Sequence, residues 1–316
     1  MNKRDLVLSL LDKDKKQEVI PAAFFLHFDK IYHRGQAAID KHLEFFRHTG
    51  MDFVKIQYEN VFPARPEIQK PADWENMPLY KKDFYEDQLN IVEGLVKSAQ
   101  KEALIIMTLY SPFMCAGHTS DLKIINHIKE NPAKAKKGIE IITESLMIFV
   151  KACIKLGVDG FYHSTQGGES HTFDDSALFK ECIKPYDLIL MEEINRSCDF
   201  NILHVCDYHD GYDDLTPFLD YPGHIVNCSL ELGAGKLTPR EVSQMFDRPF
   251  MGGLDRLGTL FSGSRDEIIK AVEAQCSQKS AKFFLGADCT VPSDIDWDNL
   301  KIAIATAHEF KLEHAV

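Results

Sequence analysis

Eight short apolar runs, each followed by a stretch with helical periodicity, organise this sequence from residue 21 onward and constrain its fold more than any other feature. The runs are "PAAFFLHF" (21–28), "DFVKIQYE" (52–59), "ALIIMTLY" (103–110), "DGFYHST" (159–165), "NILHVC" (201–206), "HIVNCS" (224–229), "PFMGGLD" (249–255) and "KFFLGADC" (282–289). Strands that alternate with helices are the signature of a parallel sheet, because parallel neighbours need a crossover connection. Several helix starts are legible. Asn131-Pro132 opens one, and Thr238-Pro239-Arg240-Glu241 and Ser264-Arg265-Asp266-Glu267 are capping boxes, which satisfy backbone donors at a helix N-terminus. Eight such units in 316 residues predict a single (β/α)8 TIM-barrel domain over 1–316, with an N-terminal extension before the first run and a lid loop after the second. An open doubly wound sheet would use fewer strands. The predicted lid is "VFPARPEIQKPADWENMPLYKKDFY" (61–85), whose four prolines suit a binding loop as well as a solvated insertion.

Several function classes drop out early. No glycine-rich phosphate loop follows the first run. The formal net charge of −12, with no basic stripe, argues against nucleic acid and anionic membrane as partners. No apolar run reaches the ~20 residues of a membrane span, and the charged start is unlike an export signal, so the expected location is cytoplasmic. The eight cysteines are then expected as free thiols, most of them small core residues.

Active sites of such barrels sit at the carboxyl ends of the strands. Here the runs end in His27, Glu59, Tyr110, His163, His204 with Cys206, Asn227, Asp255, and Asp288 with Cys289, a polar set for strand ends. Side chains on a strand alternate between faces, so His204 and Cys206 point the same way, and Cys289 can reach the same mouth from the eighth run. One imidazole and two thiolates suit Zn²⁺, with a fourth position open as catalytic zinc sites require. The spacing is also compatible with a core thiol beside a hydrogen-bonded histidine. Glu59, His163 and Asp255 are candidates for a direct catalytic role, with His209 as a further supporting group; His27, Tyr110, Asn227 and Asp288 are candidates for substrate binding. Each has a plainer alternative: Glu59 as partner of a lid lysine, His163 bonded to a backbone carbonyl, His209 solvated, Asp255 paired with Arg256.

"GVDGFYHSTQGGES" with "FKECIKPYDLIL", "FMGGLDR", and "LGADCTVPSDIDWDNL" together resemble the uroporphyrinogen decarboxylase superfamily over most of the chain, least before residue 50. That superfamily includes decarboxylases and corrinoid-linked methyltransferases. The decarboxylases carry an arginine-rich motif after the first strand, where this chain reads "HFDKIYHRG" with only Arg34 nearby. They have a His-Gly pair at Asp288-Cys289, and an aspartate at Glu59. A substrate with many carboxylates needs charge-assisted partners, and this acidic chain has nine arginines.

The methylcobamide-dependent thiol methyltransferases instead carry a His-x-Cys motif on the fifth strand and a cysteine after the eighth, and His204, Cys206 and Cys289 fall on those positions. The resemblance therefore implies zinc as cofactor, methylcobalamin or another corrinoid as methyl carrier, and a small thiol or methylated molecule as substrate. It also allows a corrinoid carrier protein as partner, and leaves pairing of two copies open. Two rival readings stand beside it: a uroporphyrinogen decarboxylase acting on a tetrapyrrole, and a catalytically silent barrel that docks a corrinoid protein through "VFPARPEIQKPADWENMPLY" (61–80).

Overall fold

The computed structural model describes residues 2–233 and 235–312. Seven of the eight apolar runs form one parallel sheet in the order β1 (Phe53–Ile56), β2 (Leu104–Tyr110), β3 (Gly160–Thr165), β4 (Ile202–Val205), β5 (Ile225–Cys228), β8 (Phe250–Leu254), β9 (Phe283–Ala287). Between β5 and β8 a small antiparallel ribbon, β6 (Glu231–Leu232) and β7 (Gly235–Lys236), stands apart from the sheet. Every residue of β1, β3, β4, β5 and β9 is buried, as expected when a sheet is covered on one face by helices and filled by side chains on the other.

The expected closed (β/α)8 barrel is not formed. The sheet is an open, seven-stranded, curled half-barrel whose edges stand 11 Å apart. The first run, "PAAFFLHF", lies between those edges without becoming a strand. Its one bridge joins Ala22 to Leu285 on β9. Leu285 N donates to Pro21 O at 2.8 Å, Ala23 N to Leu285 O at 3.1 Å, and Asp52 N to Ala22 O at 3.0 Å. A ladder cannot extend because Pro21 has no N–H and the Ala22 N–H is taken by the Asp52 carboxylate at 2.7 Å. The run still looks strand-like in sequence because Phe24, Phe25, Leu26 and Phe28 are all buried. The strict strand–helix alternation also breaks once: β4 and β5 are joined through a short 3-10 turn, Thr216–Phe218, with no α-helix among the described residues.

The predicted helix starts are present. Asn131 caps the helix Pro132–Leu156, and reciprocal capping boxes open Pro239–Phe246 (Thr238 with Glu241) and Arg265–Ser277 (Ser264 with Glu267). The N-terminal extension forms the helix Lys3–Leu8 beneath the sheet. There Lys3 Nζ reaches Asp52 at 3.1 Å and Arg4 reaches Asp159 at 2.5 Å, aspartates that lie just before β1 and β3. None of the described helices is long and apolar enough to cross a membrane.

The 61–85 segment is a strap more than a free lid. Trp74 is fully buried and donates its indole N–H to His127 Nδ1 at 3.0 Å, while Tyr85 donates its hydroxyl to Ser145 O at 2.9 Å. The indole lies against the helix Pro132–Leu156 at Gly138, where an added Cβ would come within 2.2 Å of the ring. Only the start of the strap, at Val61, Phe62 and Ala64, borders the cavity described next.

Candidate metal centre

Strand register builds the site. Tyr110, Ser164, His204 and Asn227 are lateral neighbours on β2, β3, β4 and β5, so their side chains form one row on the inner face of the sheet. Two residues beyond His204 comes Cys206, and two beyond the end of β9 comes Cys289. All three side chains are buried, and their ligand atoms lie within 4.8 Å of one another. His204 Nε2 is 3.4 Å from Cys289 Sγ, which is 3.8 Å from Cys206 Sγ. Nε2 is thus the ring nitrogen that faces the sulfurs, and His204 Nδ1 has no partner among the described residues. The eight cysteines are all free and buried, but only these two converge on a histidine.

The two thiols shift each other's ionisation in opposite directions. Cys289 S–H, as donor, holds Cys206 well below the ordinary thiol value, aided by the nearby His204, while the same contact and burial hold Cys289 well above it. Gln166 donates an amide N–H to Cys206 Sγ at 3.3 Å. Tyr162 stacks on the His204 ring with centroids 4.9 Å apart and donates its hydroxyl to Asn227 Oδ1 at 2.5 Å. Asn227 spends its own N–H groups on Met251 O (2.9 Å) and Ala287 O (3.0 Å), tying β5 to β8 and β9. These bonds support the wall, and Asn227 is not among the residues that border the cavity described below.

Arg256 holds the ligand-bearing ends together. One guanidinium nitrogen contacts Asp207 and Asp288, both at 3.0 Å, so the residue after Cys206 and the residue before Cys289 share one cation. Asp288 also accepts from the backbone N–H groups of Arg256 (2.9 Å) and Cys289 (2.8 Å). Burial pushes its carboxyl up to about 6 against the pull of Arg256. Asp288 therefore clamps the loop, and Arg256 pairs with it and Asp207; Asp255 instead accepts from Leu257 N at 2.8 Å in an exposed turn.

The triad opens on a cavity of about 680 Å³. His27, Tyr110, His204, Cys206, His209 and Cys289 all line it. Glu59 stands just behind His27, whose Nδ1 it meets at 2.8 Å, so its partner is this histidine and not a lid lysine. His163 is on the opposite face of β3: in register with Leu203, it is fully buried 3.8 Å from Asp187 in the helix layer. The inward set on β3 is Tyr162 and Ser164, followed by Gln166.

Two cavity groups were not anticipated from the sequence. Lys55 on β1 and Gln57 just after it point inward, and Lys55 Nζ donates to Gln57 Oε1 at 3.1 Å while lying 4.5 Å from the Phe25 ring and 4.6 Å from the Tyr162 ring. Burial lowers Lys55 to about 7, opposed by the negative charges of Cys289, Glu59 and Cys206. The period-two stripe Phe53, Lys55, Gln57, Glu59 in "DFVKIQYE" was the available signal.

A half-barrel of parallel strands with an imidazole and two thiols converging at their carboxyl ends defines an α/β protein with a candidate metal centre. Residues 45–310 match the family model described as Uroporphyrinogen decarboxylase (URO-D). The chain belongs to that family. Among curated proteins none matches it in sequence. Its fold is similar to that of a methyltransferase from Methanosarcina mazei (13% identity, 98% of this chain and 99% of that one covered, TM-score 0.73). It is also similar to a B12-independent methionine synthase from Shewanella sp. W3-18-1 in complex with selenomethionine (14%, 92% and 97%, TM-score 0.58). A third is a putative vitamin-B12 independent methionine synthase from Listeria monocytogenes (15%, 87% and 86%, TM-score 0.58).

Proposed function

We propose that this protein is a zinc-dependent methyltransferase that moves a methyl group between a corrinoid and a thiol. The observation that carries the reading is the buried convergence of His204, Cys206 and Cys289 on one cavity wall. The donor set fits the ion: one nitrogen and two sulfurs suit zinc, and three protein ligands leave a position for a substrate atom. A bound zinc ion would hold a thiol as its thiolate, the nucleophilic form. The fold shared with a methyltransferase and with methionine synthases supports methyl transfer to sulfur.

The chain's own groups prepare the site. Gln166 gives Cys206 a hydrogen bond that favours its thiolate form. Tyr162 fixes the plane of the His204 ring, and Arg256 fixes the spacing of the two cysteine loops. Lys55 lines the same cavity, its ammonium form disfavoured by burial and favoured by the nearby Cys289, Glu59 and Cys206. The cavity suits a small thiol, and a corrinoid would approach from the mouth, where Tyr208 and His209 are exposed. Among the described residues no arginine lines the cavity, which disfavours a substrate with many carboxylates.

Metal analysis of protein purified without chelator tests this. We expect about one zinc per chain, near zero in a Cys206→Ser, Cys289→Ser double variant, and thiol-dependent demethylation of methylcobalamin that disappears with it. Substoichiometric zinc that is unchanged in the double variant would overturn the reading. Corrinoid-protein binding that survives loss of the triad, with no methyl transfer to any thiol, would favour a docking role.

A further inference from the structure

Lining the same cavity as the triad is a second polar assembly whose members are joined to one another. His27 Nδ1 lies 2.8 Å from Glu59 Oε1, and the Tyr110 hydroxyl is 3.4 Å from His27 Nε2. A carboxylate only accepts, so Nδ1 carries a proton toward Glu59, and in the neutral tautomer that this fixes Nε2 turns its lone pair to Tyr110. His27 and Tyr110 line the same cavity as Cys206 and Cys289. Burial, reinforced by the negative charges of Glu59 and Cys206, keeps the Tyr110 phenol un-ionised far above its usual range.

We propose that His27, oriented by Glu59, is the proton acceptor of this cavity, taking through Tyr110 the proton that an entering thiol must lose. The proposal rests on the thiol reading above. In the step, the S–H bond breaks and sulfur keeps the electron pair as thiolate. The proton passes to the Tyr110 oxygen as the Tyr110 O–H proton passes to His27 Nε2. Tyrosine ends neutral, and the imidazolium is offset by the Glu59 carboxylate. A phenol that resists ionising cannot itself store the proton, but it can accept one while giving one up. The carboxylate orients the ring and offsets the charge it gains, as in carboxylate–histidine pairs generally.

Other titratable groups face this assembly. His33 Nδ1 lies 3.7 Å from the second Glu59 oxygen, but its Nε2–H is spent on Phe28 O at 2.8 Å, so it meets Glu59 favourably only when charged. His118 packs edge-on to Tyr110 and is lowered by burial, with His209 and His27 adding to the effect. Lys55, lower on the same strand face as Glu59, feels that carboxylate. None of these sits between Tyr110 and His27, which touch directly.

The test is proton release on binding 2-mercaptoethanol to the zinc-loaded protein, read by calorimetry near neutral pH in two buffers of different ionisation enthalpy. The wild type should bind the thiol and release little or no proton to solvent, whereas His27→Gln should bind it and release about one proton per thiol. Tyr110→Phe, which keeps the packed ring and removes only the hydroxyl, should release about one as well. A purely structural role for His27 would leave this stoichiometry unmoved. Thiol binding with the same full proton release in wild type and both variants would overturn the proposal and leave the thiol reading intact. If 2-mercaptoethanol and other small thiols do not bind the wild type, both fall together.

Discussion

The two polar walls of the cavity are built on opposite principles. On the β4 and β9 side, His204 Nε2 and the sulfurs of Cys206 and Cys289 converge at ligand spacing, an arrangement that an ion would complete. On the β1 side, Glu59, His27 and Tyr110 satisfy one another and are arranged to pass a proton. The difference teaches where each kind of chemistry can sit. Buried soft donors crowded together gain most from an ion that binds them all, whereas a hydrogen-bonded set of polar groups is satisfied internally and can remain half exposed, as His27 does. The sharpest contrast is therefore between the Cys206→Ser, Cys289→Ser variant, which should lose zinc, and His27→Gln, which should keep it while losing control of the proton.

The next largest effect concerns what holds the metal wall together. Arg256→Met removes the cation between Asp207 and Asp288 and leaves two partly buried carboxylates facing each other. We expect destabilisation of roughly 3 kcal/mol by urea unfolding. Zinc affinity should also fall by about 10- to 100-fold in a chelator competition, because the clamp sets the spacing of the cysteine loops. Unchanged zinc affinity despite lower stability would show that the clamp serves the fold and not the site.

Much of this architecture was legible in the sequence, and the exceptions have specific causes. Seven apolar runs are strands and both capping boxes form, because burial and local hydrogen bonding are encoded within a few residues. "PAAFFLHF" misleads because extended chain buried on both sides carries the same apolar signature as a strand, and only Asp52, distant in sequence, takes the amide that a ladder would need. His163 was assigned by its place near the end of a run, but parity decides orientation: it shares the outward set with Phe161 and Thr165. The spacing of His204 and Cys206 survived because both lie on one inward stripe. Cys289 joins them through the order of strands, which spacing alone does not contain.

On the proton wall, His42 provides a pH handle. It is buried behind β1, with Nδ1 2.7 Å from Ala38 O and Nε2 accepting the Gln57 N–H at 3.1 Å. Burial lowers it to about 4. Between its ordinary value near 6.5 and 4, the unfolded chain holds a proton that the folded chain lacks, so this group makes stability fall as pH falls through that window. From pH 7 to 5 the loss should be about 2 kcal/mol. Glu169, raised by burial to about 7, acts with the opposite sign from about 4.5 to 7. The wild type minus His42→Gln difference in urea unfolding, measured across pH 7 to 5, isolates the histidine. A difference that does not vary with pH would show that His42 is charged in the fold.

The smallest expected effect separates shape from hydrogen bonding on the metal wall. Tyr162→Phe keeps the ring stacked on His204 and under Lys55 but removes the hydroxyl that donates to Asn227 Oδ1. Asn227 retains its two donated bonds to β8 and β9, so one buried carbonyl oxygen loses its partner and the sheet stays joined. The cost should be about 1 kcal/mol in unfolding free energy, with zinc affinity unchanged, because the stack and not the hydroxyl orients His204. Tyr162→Leu, which removes the stack as well, should weaken zinc binding in the same chelator competition. Equal zinc affinity in the two variants would mean that the strand alone sets the imidazole, and that the aromatic face of this wall serves the substrate instead.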